Sequence, residues 1–248
     1  MKTIVNFRDI SGYKTPDGKR LKNGFVYRSG NLDNAFGSDV KQVLAYGIKK
    51  IIDLRQDHEI KRLNGKLNAI KRVFIPFNIT ETTKSRLKPF MNKRHDVENN
   101  IIEAIKSVYL DMVEGHKAEI AEVLRNLITA EDYPVLINCH LGKDRTGFVC
   151  AILMLSLGFD SDAVVKEYIK TNDLLLPRTR TYFGMMKILS FGAFPAKNYK
   201  TASIACAVYI QTVIEKIKKE YGCISNYLSN CGIKEIEIVT LKNILLEN

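Results

Sequence analysis

The stretch from Val135 to Met154, VLINCHLGKDRTGFVCAILM, contains a short apolar strand, a polar loop and a strongly apolar helix. The polar loop runs from Cys139 to Arg145. In α/β proteins, anions bind where a loop leaves the carboxyl end of a buried strand and enters the N-terminus of a helix, because backbone N–H groups and the helix dipole face the ligand there. The stretch therefore predicts an α/β fold that binds phosphate or another oxyanion in this loop.

Cys139 and Arg145 are the loop residues expected to carry the chemistry. The N-terminus of a helix and nearby cations favour the thiolate form of a cysteine, which is its nucleophilic form. A thiolate at the bottom of a phosphate-binding loop can attack phosphorus in line with the leaving oxygen. The planar guanidinium of Arg145 can bind two phosphate oxygens at once and hold them more strongly as charge spreads in the transition state. The pair predicts covalent catalysis on a phosphate ester.

The remaining loop residues have candidate roles around the same phosphate. Asp144 can protonate the leaving oxygen and later accept a proton from the attacking water. Thr146 can donate a hydrogen bond to the cysteine sulfur or assist the departing thiolate, and Lys143 adds a cationic donor. Gly142 gives the loop the backbone freedom that a tight turn requires. The residues expected to bind substrate are His140, Leu141, Gly142, Lys143 and Thr146.

Two other interpretations of the loop have to be weighed. A cysteine at the end of a strand is usually a buried structural thiol, but here Cys, Gly, Arg and Thr occur together at the spacing that phosphate chemistry needs. The pair Gly142-Lys143 also fits part of the nucleotide-binding pattern G-x-x-x-x-G-K-[ST]. That pattern fails because Ile137 occupies the first glycine position and Asp144 replaces the hydroxyl residue. Cys150, on the helix, is expected to be a core residue.

Length and composition predict a single domain over residues 1–248. The chain is 46% hydrophobic, which supplies a substantial core, and it has no internal repeat, low-complexity tract or Pro-rich linker. Its five cysteines form no CxxC pair, and their odd number cannot all pair within one chain. We therefore expect a reduced, cytoplasmic environment, with no metal and no other cofactor.

The formal net charge of +11 favours anionic partners, which include nucleic acid, a membrane surface and a phosphorylated substrate. The basic residues occur in short groups, such as Lys49-Lys50 and Lys61-Arg62, without a long run or interleaved aromatic side chains. The N-terminus lacks the apolar run of a signal peptide, and no stretch approaches the roughly 20 apolar residues of a membrane span. Neither nucleic-acid binding nor stable membrane insertion is expected. Secretion without a classical signal peptide stays open.

Hydrophobic periodicity predicts strands alternating with helices in the first half of the chain and helices alone in the second. Strands are expected at residues 25–27, 49–54, 72–75 and 135–138. Helices are expected at residues 38–46, in two segments within 101–130, and at 146–157, 161–171, 179–190, 202–221, 224–230 and 234–246. This pattern predicts an α/β sheet flanked by helices, with a helical C-terminal part.

The polar segment from residue 80 to residue 100 stands apart from this pattern. It is interpreted as either a lid or an insertion, and its basic side chains are Lys84, Arg86, Lys88, Lys93 and Arg94.

Beyond the loop, four further segments resemble the atypical bacterial protein-tyrosine phosphatases whose signature is HCxxGKDRTG. NFRDISGY (6–13) is similar to the family's NFRDLGGY, FVYRSGNL (25–32) to its LYRSGxL, and GIKKIIDLR (47–55) to its GIRTVIDLR. The closing segment 221–246 is similar to the family's last helices, where a YGSxxxYL pattern recurs. Agreement at several points over most of the chain is more specific than the loop alone.

The resemblance implies a cysteine-phosphatase fold, with a central, mainly parallel sheet flanked by helices, and a reaction that needs no metal. It places the nucleophile on Cys139, the phosphate-binding arginine on Arg145 and the loop Lys-Asp pair on Lys143 and Asp144. The implied substrate is a phosphorylated protein, with phosphotyrosine as the default, or a phosphoinositide. The chain departs from the signature at Asn138, where the family has the histidine that supports the thiolate.

The resemblance also draws attention to charged residues outside the loop. Arg28 and Asp53 close predicted strands and are candidate pocket residues; Asp53 with Arg55 is equally interpretable as a structural ion pair. Arg8 is expected to brace the N-terminal segment. If Asp144 only binds substrate, the acid has to be sought at Asp53 or Asp96.

Two further functions compete with a phosphatase. Sulfurtransferases also place a cysteine in a loop before a helix, although Thr146 after Arg145 argues against that class. A phosphate-binding module without turnover would explain Asn138 as a sign of a decayed site, but the retained Cys139, Asp144 and Arg145 argue against it.

Overall fold

The computed structural model describes residues 1–33, 35–60, 65–93 and 95–248 of the chain. Arg94 and the Lys61-Arg62 pair, named above among the basic groups, lie outside the described residues.

The strands of the described residues fall into two sheets. They are β1 (Arg8–Asp9), β2 (Arg20–Leu21), β3 (Val26–Ser29), β4 (Lys50–Asp53), β5 (Lys71–Phe74), β6 (Val135–Asn138) and β7 (Leu246–Glu247).

The α-helices of the described residues flank the larger sheet and make up the C-terminal part. They are α1 (Ser38–Ala45), α2 (Thr80–Met91), α3 (Glu98–Gly115), α4 (Lys117–Asn126), α5 (Asp144–Leu157), α6 (Ser161–Ile169), α7 (Thr171–Leu189), α8 (Ala196–Ser203), α9 (Ala207–Tyr221), α10 (Ile224–Asn230) and α11 (Glu235–Leu245). Short 3₁₀ turns lie at Asp57–Glu59, Gly65–Leu67 and Ala130–Asp132. Among the described helices, none has the length and apolarity needed to cross a bilayer.

Strand β6 lies at the centre of the main sheet, whose order is β1-β3-β6-β4-β5. The pairs β3–β6, β6–β4 and β4–β5 are parallel, and β1 pairs with β3 in the antiparallel direction. The predicted mainly parallel central sheet is therefore confirmed. The register aligns Asn138, at the end of β6, with Ser29 of β3 and Asp53 of β4. The loop after β6 consequently lies between the loops that follow β3 and β4, at the sheet edge where α/β proteins bind ligands.

Successive residues of the central strands face opposite sides of the sheet. Ile51 and Leu136 pack in a smaller core on the side of α1. Ile52 and Ile137 pack in the larger core, which is shared with the helices of the C-terminal half. Because both faces are covered, these strands have continuous apolar sequences, as is usual for parallel sheets.

Helix α5 is apolar around most of its circumference because it is enclosed by α3, α4, α6, α10 and α11. It begins at Asp144, directly after the loop. It ends at Leu157 and is followed by Gly158, which has a left-handed φ of 98° that glycine tolerates best. The packing of this helix fixes the N-terminus that faces the loop.

Two predicted helix boundaries are wrong, and several short elements were not predicted, each for a local reason. Helix α7 begins at Thr171 and continues through Pro177, whereas the proline favoured a later start at residue 179. The helix predicted over 202–221 is divided into α8 and α9 by an extended residue, Ile204. The 80–100 segment contains the regular helix α2 despite Pro89. The two-residue strands β1, β2 and β7 are too short to produce a recognisable pattern.

Helix α1 begins without a side-chain cap. Gly37 precedes the helix and supplies no side-chain cap. Asp39 instead accepts hydrogen bonds from the backbone N–H groups of Lys2 (2.9 Å), Thr3 (2.5 Å) and Ile4 (3.0 Å). Burial opposes ionisation of Asp39, but these three donors outweigh it and hold its pKa well below the usual range. The residue therefore anchors the N-terminus of the chain, which a local helix pattern does not reveal.

Candidate active site

The loop between β6 and α5 forms the floor of an open cavity of about 180 Å³. Cys139, the first loop residue, is only 2% exposed. Helix α5 begins at Asp144, directly after the loop, and the free backbone N–H groups at the N-terminus of a helix favour the binding of an oxyanion. The residues that line the cavity are Glu59, Ile79, Thr80, Thr83, Lys84, Cys139, His140, Leu141, Asp144 and Arg145.

The back of the loop is supported at Gly142. The φ of this residue is +67°, and a Cβ atom there would lie 2.4 Å from the carbonyl oxygen of Ser29. The carbonyl oxygen of Gly142 accepts hydrogen bonds from Asn6 Nδ2 at 2.6 Å and from Arg28 Nη2 at 2.5 Å. Only glycine satisfies both the backbone conformation and the close approach to β3. The loop is thus fixed from behind by residues far from it in sequence.

Arg28, a candidate pocket residue from the sequence, lies behind the loop and is fully buried. Its guanidinium donates to Glu167 at 2.6 Å, and Glu167 also accepts from Arg8 at 2.8 Å. Burial opposes ionisation of Glu167, but the charges of Arg28 and Arg8 outweigh it and lower the pKa of that carboxyl. The Arg8–Glu167–Arg28 group joins the N-terminal segment to α6. It supports the loop rather than lining the cavity.

Arg145 is held in place by Glu59, which the sequence did not single out. The guanidinium donates to both carboxylate oxygens, Nη1 to Oε2 at 2.5 Å and Nη2 to Oε1 at 2.7 Å. Burial lowers the pKa of Arg145, but the hydrogen bonds with Glu59 and the negative charge of that carboxylate outweigh this and raise it. Burial likewise opposes ionisation of Glu59, whose pKa is nevertheless lowered to about 2 by Arg145 and the Gln56 N–H. A planar, bidentate pair fixes the orientation of the arginine above the loop.

Asp53 and Arg55 form a buried ion-pair group beside the site and do not line the cavity. Arg55 donates to Asp53 with Nη2 at 2.9 Å and to Asp33 with Nη1 at 2.5 Å. Arg72 contacts the same Asp53 carboxylate. Burial opposes ionisation of Asp53, but Arg55 and Arg72 outweigh it and lower its pKa. This geometry matches the structural ion pair considered from the sequence.

Asp144 lines the cavity and is partly exposed. Its Oδ1 accepts a hydrogen bond from the hydroxyl of Tyr109 at 3.0 Å, and that hydroxyl also contacts the hydroxyl of Tyr168 at 2.7 Å. The ammonium of Lys143 is buried, donates to the carbonyl oxygen of Ala202 at 2.7 Å and lies 3.3 Å from Asp144 Oδ1. Lys143 therefore connects the loop to the end of α8 and lies outside the residues that line the cavity.

The residues on either side of Cys139 differ in their environment. His140 lines the cavity, and burial, assisted by the nearby Arg145, lowers its pKa despite the opposing effect of Glu59. Asn138 and Thr146 are completely buried. Neither the Asn138 amide nor the Thr146 hydroxyl has a hydrogen-bond partner among the described residues. The histidine of the family signature thus has no cationic replacement in His140, which is held mainly neutral at pH 7.

Asp96, the other candidate acid, is exposed and pairs with Lys197 at 2.9 Å near the end of α2. It is not among the residues that line the cavity around Cys139.

A central parallel sheet with a cysteine loop at its carboxyl edge, followed directly by a buried helix, defines a protein of the cysteine-phosphatase fold. The sequence model of the tyrosine phosphatase family matches residues 1–247, so the chain belongs to that family. The resemblance noted from the sequence is confirmed.

The chain is similar to named phosphatases over most of its length. It is 26% identical to the triple specificity protein phosphatase PtpB of Mycobacterium tuberculosis, covering 97% of this chain and 96% of the relative. It is 22% identical to a tyrosine-protein phosphatase of Nostoc commune, covering 87% and 72%. The crystal structure of TpbA from P. aeruginosa aligns with 64% of this chain and 77% of that chain, at 19% identity and a TM-score of 0.38. The family assignment makes the chain a hydrolase of phosphate esters.

Proposed function

We propose that the protein hydrolyses phosphate monoesters through a cysteinyl-phosphate intermediate on Cys139. The observation that carries this proposal is that Cys139, Asp144 and Arg145 line one cavity, at the N-terminus of α5. The nucleophile, the acid and the phosphate-binding cation are thereby within reach of a single phosphate group.

In the first step, Cys139 Sγ forms a bond to phosphorus while the bond from phosphorus to the leaving oxygen breaks. The proton of the Asp144 carboxyl moves to that oxygen. In the second step, a water molecule attacks phosphorus, Asp144 accepts its proton and the thiolate departs. Arg145 and the loop N–H groups bind the equatorial oxygens in both steps, where negative charge is spread in the transition state. The hydroxyl of Thr146, which is buried and has no hydrogen-bond partner among the described residues, is proposed to donate a hydrogen bond to the departing sulfur.

Phosphotyrosine is the proposed main substrate, and phosphoinositides are proposed as a second class. The apolar side chains of Ile79 and Leu141 in the cavity wall suit an aromatic ring. Lys84 in the same wall and the net charge of +11 suit a polyanion. The name of the M. tuberculosis relative, a triple specificity phosphatase, supports such breadth.

The nucleophile is tested with the variant Cys139→Ser. We expect it to keep the fold and to bind vanadate, yet to lose nearly all turnover of p-nitrophenyl phosphate, because an alcohol is a far poorer nucleophile than a thiolate at neutral pH. Cys150→Ser, at a buried position on the same helix, is the matched control and should keep turnover. Substantial activity of Cys139→Ser would refute the mechanism. Strong inhibition of the wild type by EDTA would indicate metal-dependent hydrolysis instead.

A further inference from the structure

The C-terminal half of α7 and the turn after it expose large apolar side chains on one face. Ile188 and Leu189 are 77% and 66% exposed, and Phe191 is fully exposed. Within α7, Met185 lies three residues after Tyr182, and Ile188 and Leu189 follow Met185 by three and four residues, so these exposed side chains lie on the same side of the helix. We call this surface the apolar tip; its members are Tyr182, Met185, Ile188, Leu189 and Phe191.

Phe191 is in an unusual conformation as well as an unusual environment. Its φ is +49°, in the left-handed region that bulky residues rarely adopt. The position after a helix end normally holds glycine or asparagine. Here an aromatic side chain takes it, and Gly192 follows with a φ of +84°. A strained backbone conformation costs free energy and persists only where the surrounding structure holds it in place. Such residues are found most often at functional sites.

Basic side chains lie beside Phe191, at one side of the apolar tip. A cavity of about 520 Å³ beside Phe191 is lined by Lys93, His95, Lys187 and Lys197. Asp96 also lines this cavity and pairs with Lys197 at 2.9 Å, and Glu98 lies 3.5 Å from the same lysine. Over residues 171–203, five side chains are basic and one is acidic. The surface thus combines exposed apolar groups with an excess of positive charge.

We propose that the apolar tip binds the surface of an anionic lipid bilayer. Ile188, Leu189 and Phe191 would enter the interfacial region, while Lys187 and its basic neighbours contact lipid headgroups. Apolar side chains surrounded by Lys and Arg are the combination that interfacial membrane-binding elements use. A second copy of the chain fits this surface less well, because each molecule carries a net charge of +11 and self-association would bring like charges together.

Helix α7, which carries most of the tip, packs against α8, and α8 contacts α2, whose first turn lines the cavity of the candidate active site. Asn198 of α8 donates to the carbonyl oxygens of Phe90 at 3.0 Å and Lys93 at 2.9 Å, at the C-terminal end of α2. The first turn of α2 supplies Thr80, Thr83 and Lys84 to the cavity wall around Cys139. Binding through the tip would keep that cavity close to membrane phosphoinositides, and this consequence rests on the proposed function.

The test is sedimentation of the full chain with vesicles of phosphatidylcholine, alone or mixed with phosphatidylserine. We expect the wild type to bind the mixed vesicles and to be released by salt, since screening weakens contacts between exposed charges. The variant Ile188→Ser/Phe191→Asn should bind the mixed vesicles at least about tenfold more weakly, because two apolar side chains are removed. Asparagine is chosen at position 191 because it tolerates the left-handed backbone conformation. The matched control Phe36→Asn/Ile236→Ser removes one exposed phenylalanine and one exposed isoleucine elsewhere and should bind like the wild type.

The result does not depend on catalysis, since binding is measured without substrate. The wild type, the tip variant and the control variant should hydrolyse p-nitrophenyl phosphate at equal rates. If none of the three proteins hydrolyses it, the proposed function is contradicted, whereas the membrane proposal is not affected. The membrane proposal is overturned if the wild type fails to bind mixed vesicles, if it binds both vesicle types equally, or if the tip variant binds as well as the control. It is also overturned if the wild type is a dimer that the tip variant alone dissociates.

Discussion

Glu59 determines how the guanidinium of Arg145 is oriented above the loop. In Glu59→Gln one of the two charged partners is lost, so Arg145 is no longer fixed in the plane that matches two phosphate oxygens. We expect kcat/KM for p-nitrophenyl phosphate to fall by about 10- to 100-fold, because small misplacements of a positioning group have effects of that size. Vanadate affinity should fall as well. Asp57→Asn, at an exposed position of the same 3₁₀ turn, is the control; equal kinetics for both variants would refute the role of Glu59.

The Glu59–Arg145 pair also predicts a dependence of stability on pH. The pKa of Glu59 is lowered in the folded state from 4.5 to about 2. The ionised carboxylate therefore contributes fully to the free energy of unfolding when the pH is above 4.5, the pKa of Glu59 in the unfolded chain. The contribution disappears as pH falls from about 4.5 towards 2, and its upper limit is about 3 kcal/mol. The difference in unfolding free energy between the wild type and Glu59→Gln, measured by denaturant titration, should therefore narrow between pH 7 and pH 3. A constant difference would contradict the pair's ionic character.

Asp144 is the proposed acid, and leaving-group dependence tests this role. Asp144→Asn should slow hydrolysis of phenyl phosphate far more than that of p-nitrophenyl phosphate, whose leaving oxygen is already stable without a proton. General acid catalysis typically contributes about 10²- to 10⁴-fold, which sets the expected size of the loss on the poorer leaving group. Tyr109→Phe keeps the carboxyl and removes only its hydrogen-bond donor, so it should retain the wild-type ratio of the two rates. Equal losses on both esters in Asp144→Asn would assign the residue to binding.

At the scale of elements, the strand, loop and helix around Cys139 were predictable because each is specified locally. An apolar run, a polar loop with glycine and a second apolar run define β6 and α5 from adjacent residues. The supports of the loop were not predictable in the same way. Asn6 and Arg28 reach Gly142 from more than a hundred residues away, and Glu59 reaches Arg145 across 86 residues. Sequence patterns report neighbours along the chain, whereas these contacts exist only once the sheet has formed.

The junction between β3 and the loop predicts a sharp difference between two glycines. Gly142→Ala introduces a methyl group 2.4 Å from Ser29 O at a positive φ, whereas Gly18→Ala meets nothing within 4 Å at a similarly positive φ. Gly18→Ala should cost about 1 kcal/mol of stability from backbone strain alone. Gly142→Ala adds overpacking of about 1–3 kcal/mol and should abolish most phosphatase activity. Thermal unfolding and turnover of both variants test this, and full activity of Gly142→Ala would show that the loop tolerates displacement.

At the scale of the whole molecule, the net charge of +11 predicts how polyanionic substrates bind. Lys84 lines the cavity, whereas Lys88, one turn further along α2, does not. Lys84→Ala should lower kcat/KM for an inositol polyphosphate several-fold at low salt, and for a singly phosphorylated tyrosine peptide much less, because a lost cation matters most where several negative charges are bound. Salt should narrow the gap. If Lys88→Ala behaves identically, the effect belongs to the overall charge and not to the cavity wall.

The position of β6 has a consequence for how the chain is assembled during translation. In the order β1-β3-β6-β4-β5, strand β6 lies between β3 and β4. Strand β6 is also the last strand of this sheet to be synthesised, because it follows the other four in the sequence. Until the ribosome has released residues 135–138, β3 and β4 have no partner between them, and each has an unpaired edge open to incorrect pairing. The nascent polypeptide therefore cannot close its sheet before the strand that carries the cysteine loop emerges. The cysteine loop and the completed sheet arise in the same folding event.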